Sequence, residues 1–301
     1  MIDFSKIKTY SIKNRNNKVD AKDFYNNKRK SFSDRLPSIL AANDLNNLVM
    51  DLKSAAKGKK QVIVMMGGHV IKCGVSPCIL ELMQEGMITH VAMNGAGSIH
   101  DFEIALIGKT SEDVAAAIDN GSFGMAEETG SLINKAVSES PDIGHGAALG
   151  RFITEKKLWY MHLSILARAY QLKIPATVHV AIGTDITHQH PSCDGAAIGR
   201  ATYQDFKILT ESVSKLEGGV IINIGSAVLL PEVFLKALTI VRNLGFEVRN
   251  FTAAAFDMMH QYRVAENIVA RPTRLGGKGY YFIGRHEIML PLLTDMLMGR
   301  L

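Results

Sequence analysis

Five short apolar runs in this chain each stop at small or polar residues: Gly67-Gly68-His69, Asn94-Gly95-Ala96-Gly97, Gly183-Thr184-Asp185, Gly225-Ser226-Ala227 and Thr252-Ala253. No other feature narrows the fold as much. Apolar runs of about four to eight residues are the mark of strands buried on both faces. The strands read as residues 61–66, 88–93, 176–181, 219–224, 247–252 and 280–283. Between them lie segments with helical signals, at 43–56, 75–84, 99–106, 111–118, 126–138, 159–170, 203–216 and 231–244, and a last one at 286–297. Asn43 or Asp44 is placed to cap the first of these helices, and Pro231 falls in the first turn of another, where a missing N–H costs little. Strands that alternate with helices form βαβ units with right-handed crossovers. The expected fold is therefore α/β, a doubly wound, mainly parallel Rossmann-like sheet with helices on both faces. Ligands of such sheets bind at the carboxyl ends of the strands, near the point where strand order reverses.

No linker divides the 301 residues, so the expectation is a basic, irregular N-terminal arm over 1–42 and a single domain over 43–301. The formal net charge of +5 is concentrated at the front, because residues 1–60 carry 14 Lys and Arg against 6 Asp and Glu. Nucleic acid is not the expected partner, since no aromatics interleave with the lysines as a stacking platform requires. An arm packed on a neighbouring subunit is the simpler reading. No apolar run reaches the ~18 residues of a membrane helix, and the first residues lack a signal-peptide core. Three cysteines, Cys73, Cys78 and Cys193, make no disulfide framework and suit a reducing compartment. A cytoplasmic protein is expected.

Glycine at a strand end lets a ligand approach the backbone, and the following helix aims its N–H groups at an anion. Any single βα turn favours glycine, but the set of such loops points to a dinucleotide or another phosphate-bearing ligand. Neither a full G-x-G-x-x-G nor a G-x-x-x-x-G-K-[ST] motif occurs. His69, His100, His188 and His190 also fall just past strand ends, as do Asp101 and Asp185. His188 and His190 share one side of an extended segment, a spacing open to a divalent metal, with Cys193 nearby; hydrogen-bonding or catalytic histidines without metal are the alternative. Asp101 and Glu103 sit in the opening of a helix. There they offset its dipole or form an acid–base pair with His100. The glycine-rich basic stretch 271–279 reads as a flap over an anion, a loop presenting the nucleophile Lys278, or an ordinary surface loop.

From about residue 61 onward the chain resembles the deoxyhypusine synthase family. The likeness rests on the strand ending in Asn94-Gly95-Ala96-Gly97, on Ile174-Pro175 followed by Thr184-Asp185, and on the glycine-rich strand end in 222–228. Thr252-Ala253 with Phe256-Asp257, Ala270-Arg271-Pro272, and Leu290-Pro291-Leu292-Leu293 complete it. The resemblance implies an NAD-binding homotetramer that oxidises a polyamine and transfers part of it to a lysine. By position it implies a cofactor site built from Gly68, His69, Asn94, Gly95, Ala96, Asp185, Gly225, Ser226, Thr252, Ala253 and Asp257. On the substrate side the chain departs from the family. Ile99 and His100 stand where the family has glutamates, His190 replaces an aspartate, and Pro231-Glu232 replaces a histidine pair. Thr273 and Arg274 replace acidic and tryptophan residues, and Lys278 matches the catalytic lysine only across a gap. Buried ammonium groups need carboxylate partners, so these exchanges predict a smaller or anionic substrate. The expectation is an NAD-dependent enzyme with an altered pocket and His100, Asp101, His190 and Lys278 as catalytic candidates. The rival readings are a polyamine aminobutyl or aminopropyl transferase, a metal-dependent hydrolase using His188 and His190, and a nucleotide- or metabolite-binding protein without catalysis.

Overall fold

In the computed structural model, which describes residue 8 and residues 31–300, six strands join in one sheet. They are β1 (Val62–Met66), β2 (His90–Asn94), β3 (Ala176–His179), β4 (Val220–Ile224), β5 (Thr252–Asp257) and β6 (Lys278–Ile283). Every neighbouring pair is parallel, and the order is β3-β2-β1-β4-β5-β6. The chain thus leaves β1 toward one edge, returns to the middle, and leaves β4 toward the other. The switch point lies between β1 and β4, as in doubly wound nucleotide-binding sheets.

The helices of eight or more residues are α1 (Leu40–Lys57), α2 (Ser76–Gln84), α3 (Gly95–Ile107), α4 (Glu127–Glu139), α5 (His145–Glu155), α6 (Ile165–Leu172), α7 (Gly195–Ser214), α8 (Leu229–Asn243) and α9 (His286–Met298). They cover both faces of the sheet, and the pleat of β1 shows how. Val62, Val64 and Met66 join Leu48, Phe102 and Leu290 on one side. Ile63 and Met65 join Leu209, Phe234 and Leu238 on the other. Each such side chain contributes about 1.5–3 kcal/mol when fully buried, so neither face can turn to water.

The two sheet edges are managed differently. On β3, α7 takes up the outward backbone groups. The N–H of Val178 donates to Asp205 (2.7 Å), that of Val180 donates to Thr202 (3.0 Å), and the Thr202 hydroxyl donates to the Val178 carbonyl (3.1 Å). The β6 edge is largely exposed and starts with a lysine, a charge that discourages pairing with another strand.

Several expectations change. The fifth strand begins at Thr252 rather than ending there. Thr252 pairs in register with Lys278, so both open their strands at the amino end of the sheet. The 159–170 helix is broken: a 3-10 turn covers Met161–Leu163, and α6 starts after Ser164, whose hydroxyl caps Ala167. Helix α5 has no counterpart in the sequence reading. The stretch 271–279 is no free flap, because Arg271–Thr273 continues a helical turn and Lys278 enters β6. Of the arm at 1–42, residues 1–7 and 9–30 lie outside the described residues; a short helix spans Phe32–Arg35, and α1 starts at Leu40. Among the described residues no helix is long and apolar enough to cross a membrane.

Candidate active site at the carboxyl end of the sheet

The turns after β1 and β4 touch at the switch point. Gly67 N–H donates to the Ile224 carbonyl and Gly225 N–H to the Phe256 carbonyl, both at 3.0 Å. A Cβ on Gly67 would stand 2.5 Å from the Gly225 carbonyl oxygen, so only glycine lets the two turns close. Imidazoles pack on this glycine surface. The His100 ring edge at Cδ2 would be 2.8 Å from a Cβ on Gly68, and His286 Nε2 would be 2.6 Å from one on Gly225. His69 meets His286 edge to face, with ring centroids 5.9 Å apart. Burial lowers the pKa of His100 below the ordinary imidazole value; Lys72 and His69 add to this, and Glu103 opposes it. Burial does the same to His286, which also feels His69. Both rings are therefore held neutral near pH 7.

Helix α3 begins directly at the end of β2. The expected loop Asn94–Gly97 is its cap and first turn, with the Asn94 side chain accepting from Gly97 N–H at 2.8 Å. A Cβ on Gly95 would collide with the Asp185 carboxylate. That carboxylate therefore lies against the start of α3, where the helix dipole favours an anion. Burial pushes the Asp185 pKa up to about 6. His188 Nδ1 shapes the loop carrying Asp185, accepting from Gly183 N–H (3.1 Å) and Asp185 N–H (3.2 Å).

Beside these groups opens a cavity of about 470 Å³, walled by Lys72, His100, Glu103, Glu112, Asp185 and Phe123 among others. A neighbouring hollow of about 580 Å³ shares Glu103, Ser111, Glu112 and Ala126 with it. On its wall His100 Nδ1 lies 2.6 Å from the Thr110 hydroxyl, which donates to Glu103 at 2.5 Å. Three carboxylates and one ammonium face this space. Of the smaller or anionic substrate expected from sequence, the anionic alternative loses its cation, because Arg274 lies past β5 toward the amino end with Lys278.

The sheet thus gathers Gly68, His69, Asn94, Gly95, Ala96, Asp185, Gly225, Ser226 and Asp257 at its carboxyl end. Their local roles are visible. Ser226 Oγ accepts from Leu230 N–H at the start of α8 (3.3 Å), and Asp257 accepts from Met259 N–H (3.3 Å). Thr252, Ala253 and Lys278 do not belong to this end. Ala253 is fully buried. Thr252 donates to Asp51 at 2.8 Å, and exposed Lys278 pairs with the same carboxylate at 2.7 Å. A shallow hollow of about 190 Å³ there is lined by Asp51, Asn250, Gly276 and Lys278.

Asp101 does not face the crevice with His100. Neighbouring residues on a helix point about 100° apart, so when His100 faces the crevice Asp101 faces the core. Its carboxylate accepts from Ser164 Oγ (2.5 Å), Ile165 N–H (2.8 Å) and Leu166 N–H (3.2 Å), closing the start of α6. Burial raises its pKa to about 6 against the pull of those bonds. It is structural. His190 is buried against Gly130 and bonded to Ser192 (2.7 Å) and Glu127 (3.3 Å), apart from the walls of the cavity. His188 and His190 thus serve different hydrogen-bond sets. Among the described residues no three His, Cys, Asp or Glu side chains group as a metal ion requires, which leaves the metal-hydrolase reading without a ligand set. Glu103, Thr110, Lys72 and Glu112 are the site residues that sequence did not single out as a set. Only Glu103 carries a signal, three residues beyond His100.

No protein-family model and no curated protein matches the chain by sequence. Solved structures do. A conserved putative LOR/SDH protein from Methanococcus maripaludis S2 superposes with a TM-score of 0.56 at 15% identity, over 87% of this chain and 71% of that one. Unliganded AgrE superposes with a TM-score of 0.57 at 13% identity, over 86% of this chain and 33% of AgrE. The chain thus spans about a third of that protein, which is also known as a ternary complex with ornithine and NAD+. A putative deoxyhypusine synthase from Entamoeba histolytica aligns more loosely, with a TM-score of 0.49 at 8% identity, over 86% of this chain and 88% of that one. At these identities the likeness establishes the Rossmann-like α/β fold.

Proposed function

We propose that this protein is an NAD-using enzyme acting on a small molecule with a positively charged group, with His100 as the proton acceptor. The observation that carries the reading is the juxtaposition at the switch point. An imidazole held neutral and packed on Gly68 forms part of the wall of a carboxylate-rich cavity of about 470 Å³, within the range of small-ligand sites.

The residues suit the cofactor in part. Gly67-Gly68 and Gly225 stand at the switch point, where doubly wound sheets take dinucleotides, but His100 and His286 pack on them; Lys72 supplies a cation nearby. The first turn of α3 is less suited to a diphosphate, because Asp185 already lies against Gly95. The carboxylates of Glu103, Glu112 and Asp185 favour an amine over an anion in the cavity. Bound NAD supplies a hydride acceptor. His100 would take the proton from the N–H or O–H group on the substrate carbon that gives up hydride, leaving a C=N or C=O bond. The resemblance to deoxyhypusine synthases supports the cofactor and suggests a homotetramer. Transfer to a lysine is not part of the proposal, because Lys278 pairs with Asp51 at the opposite end of the sheet.

Calorimetric titration with NAD tests the reading, followed by thermal-shift screening of small amines and carboxylates with NAD present. Saturable heat, with amines shifting the melting temperature more than carboxylates, is expected. Absence of heat at millimolar NAD would remove the cofactor, and preference for carboxylates would remove the substrate class.

A further inference from the structure

We propose that Thr110 and Glu103 are positioning residues that fix His100 in one tautomer, protonated at Nδ1, so that Nε2 carries its lone pair beside the Gly67-Gly68 turn. The function of that lone pair as a base rests on the reading above; the hydrogen-bond relay itself does not.

The argument is one of proton supply. A carboxylate can only accept hydrogen bonds, and a threonine hydroxyl has a single proton to give. Thr110 donates that proton to Glu103 Oε2 at 2.5 Å, and Thr129 donates to Glu103 Oε1 at 3.0 Å. Only lone pairs on Thr110 Oγ1 then remain for His100 Nδ1, 2.6 Å away. The proton between them must belong to the imidazole. Burial keeps the ring neutral, so its other nitrogen is left without a proton. Among the described residues nothing hydrogen-bonds Nε2, and the adjoining Cδ2 edge packs on Gly68.

Glu103 does not do this directly. Its Oε2 is 3.9 Å from His100 Nδ1, beyond hydrogen-bonding range, although both residues share one face of α3 at i and i+3. The threonine bridges the gap. It lies outside the helix, two residues past Gly108, whose left-handed backbone (φ 68°) ends α3. Thr110 therefore enters the segment 109–126, which supplies Ser111, Glu112, Phe123 and Ala126 to the cavity wall. The segment is braced internally by Gly124 N–H donating to Glu112 (2.9 Å) and tied to the Asp185 loop by Gln189 donating to the Phe123 carbonyl (2.5 Å). The orientation of His100 thus depends on the same segment that closes the cavity, so cavity closure and base positioning are made together.

Long-range proton–nitrogen NMR of the histidine rings at pH 7.5 tests this, with the His100 signals assigned by their loss in His100→Ala. In the wild-type protein, the expected His100 pattern is a protonated Nδ1 and an unprotonated Nε2. Thr110→Ser retains the hydroxyl and keeps that pattern. Thr110→Val removes it, and the ring shifts to the Nε2-protonated form or to a mixture. Circular dichroism and the other histidine signals report whether the valine variant is folded. An Nε2-protonated His100 in the wild-type protein overturns the proposal, as does an unchanged tautomer in a folded Thr110→Val protein or loss of the tautomer in Thr110→Ser. If the tautomers behave as expected while NAD produces no heat, the relay stands and the cofactor assignment fails.

Discussion

The two ends of this sheet are both rich in glycine and charge, yet they are physically unlike. At the amino end, Gly218-Gly219 and Gly276-Gly277 surround Asp51 and Lys278, which pair with each other in solvent. At the carboxyl end, the charged and titratable groups are partly withdrawn from water. Asp185 is pushed up to about 6, His100 and His286 are pushed down, and Glu103 is shared between two hydroxyls. The chain direction causes the difference. In parallel βαβ units each helix starts near the carboxyl end of the preceding strand, so unpaired N–H groups and positive dipole ends collect there. The amino end receives helix C-termini. Glycine and charge alone do not mark a site. What marks it is glycine placed where helices begin, beside titratable groups partly withdrawn from water.

The largest effect should come from the imidazole at that end. His100→Ala is expected to lower turnover by about 10²–10⁴-fold, the usual contribution of a positioned proton acceptor. The calorimetric affinity for NAD should stay within a factor of about three of wild type. A variant that turns over normally would leave the carboxyl end without its base. Second in size is the glycine contact itself. Gly67→Ala forces a Cβ to 2.5 Å from a backbone oxygen of the β4 turn, and overpacking of this kind costs about 1–3 kcal/mol. Urea unfolding should show that loss together with weaker NAD binding. Stability and affinity both unchanged would mean that the two turns are not held in contact.

Some of this contrast was legible in the sequence. β1, β2 and β4 stand out because strands buried on both faces are mostly apolar, with only His90 and Asn223 as buried polar exceptions within them. β5 is shifted because Val248 and Phe251 are stronger strand formers than Ala253, Ala254 and Ala255, whose small side chains are nevertheless fully buried in the sheet. That one shift sent Thr252 and Ala253 to the wrong end. Helix α5 was missed because Gly146 and Gly150 weaken its pattern, although each glycine is needed. A Cβ there would strike the backbone carbonyls of Ala176 and Leu166. In the site, His100 and Asp185 are visible as polar residues just past strand ends. Asp101 looked equivalent to its neighbour because a sequence does not display the ~100° between successive helical side chains. Thr110 reads in the sequence only as part of a helix-capping start, a part that Asp113 takes instead, since its role at the site depends on how the 109–126 segment folds back.

A pH measurement sharpens the comparison at smaller amplitude. The Asp185 pKa rises from its ordinary 3.8 to about 6 in the folded protein. Between those values the folded chain binds a proton that the unfolded chain has lost, so stability falls as pH rises from about 4 to about 6 and then levels. Asp185→Asn keeps a side chain able to cap the following turn and removes this dependence. The variant should gain stability over wild type at pH 7.5 and show little difference at pH 4, as read by urea denaturation. An equal effect at both pH values would mean that Asp185 is not held out of water at the start of α3.

The smallest effect belongs to the other end, and it bears most directly on which end does the chemistry. Lys278 is exposed and pairs with Asp51. Exposed pairs of this kind contribute about 0–1 kcal/mol, partly because water screens the charges and partly because two long side chains must be held still. The pairing also raises the pKa of the lysine, through the hydrogen bond to Asp51 first, which makes its amine a poorer nucleophile at neutral pH. Lys278→Ala should therefore change stability by less than about 1 kcal/mol and leave both NAD affinity and turnover close to wild type. The residual loss should shrink further in high salt, where the pair is already screened. A Lys278→Ala protein that binds NAD normally but has lost turnover would break the comparison. It would require the lysine of one subunit to complete the crevice of another, because within one chain the length of β6 separates it from the carboxyl end.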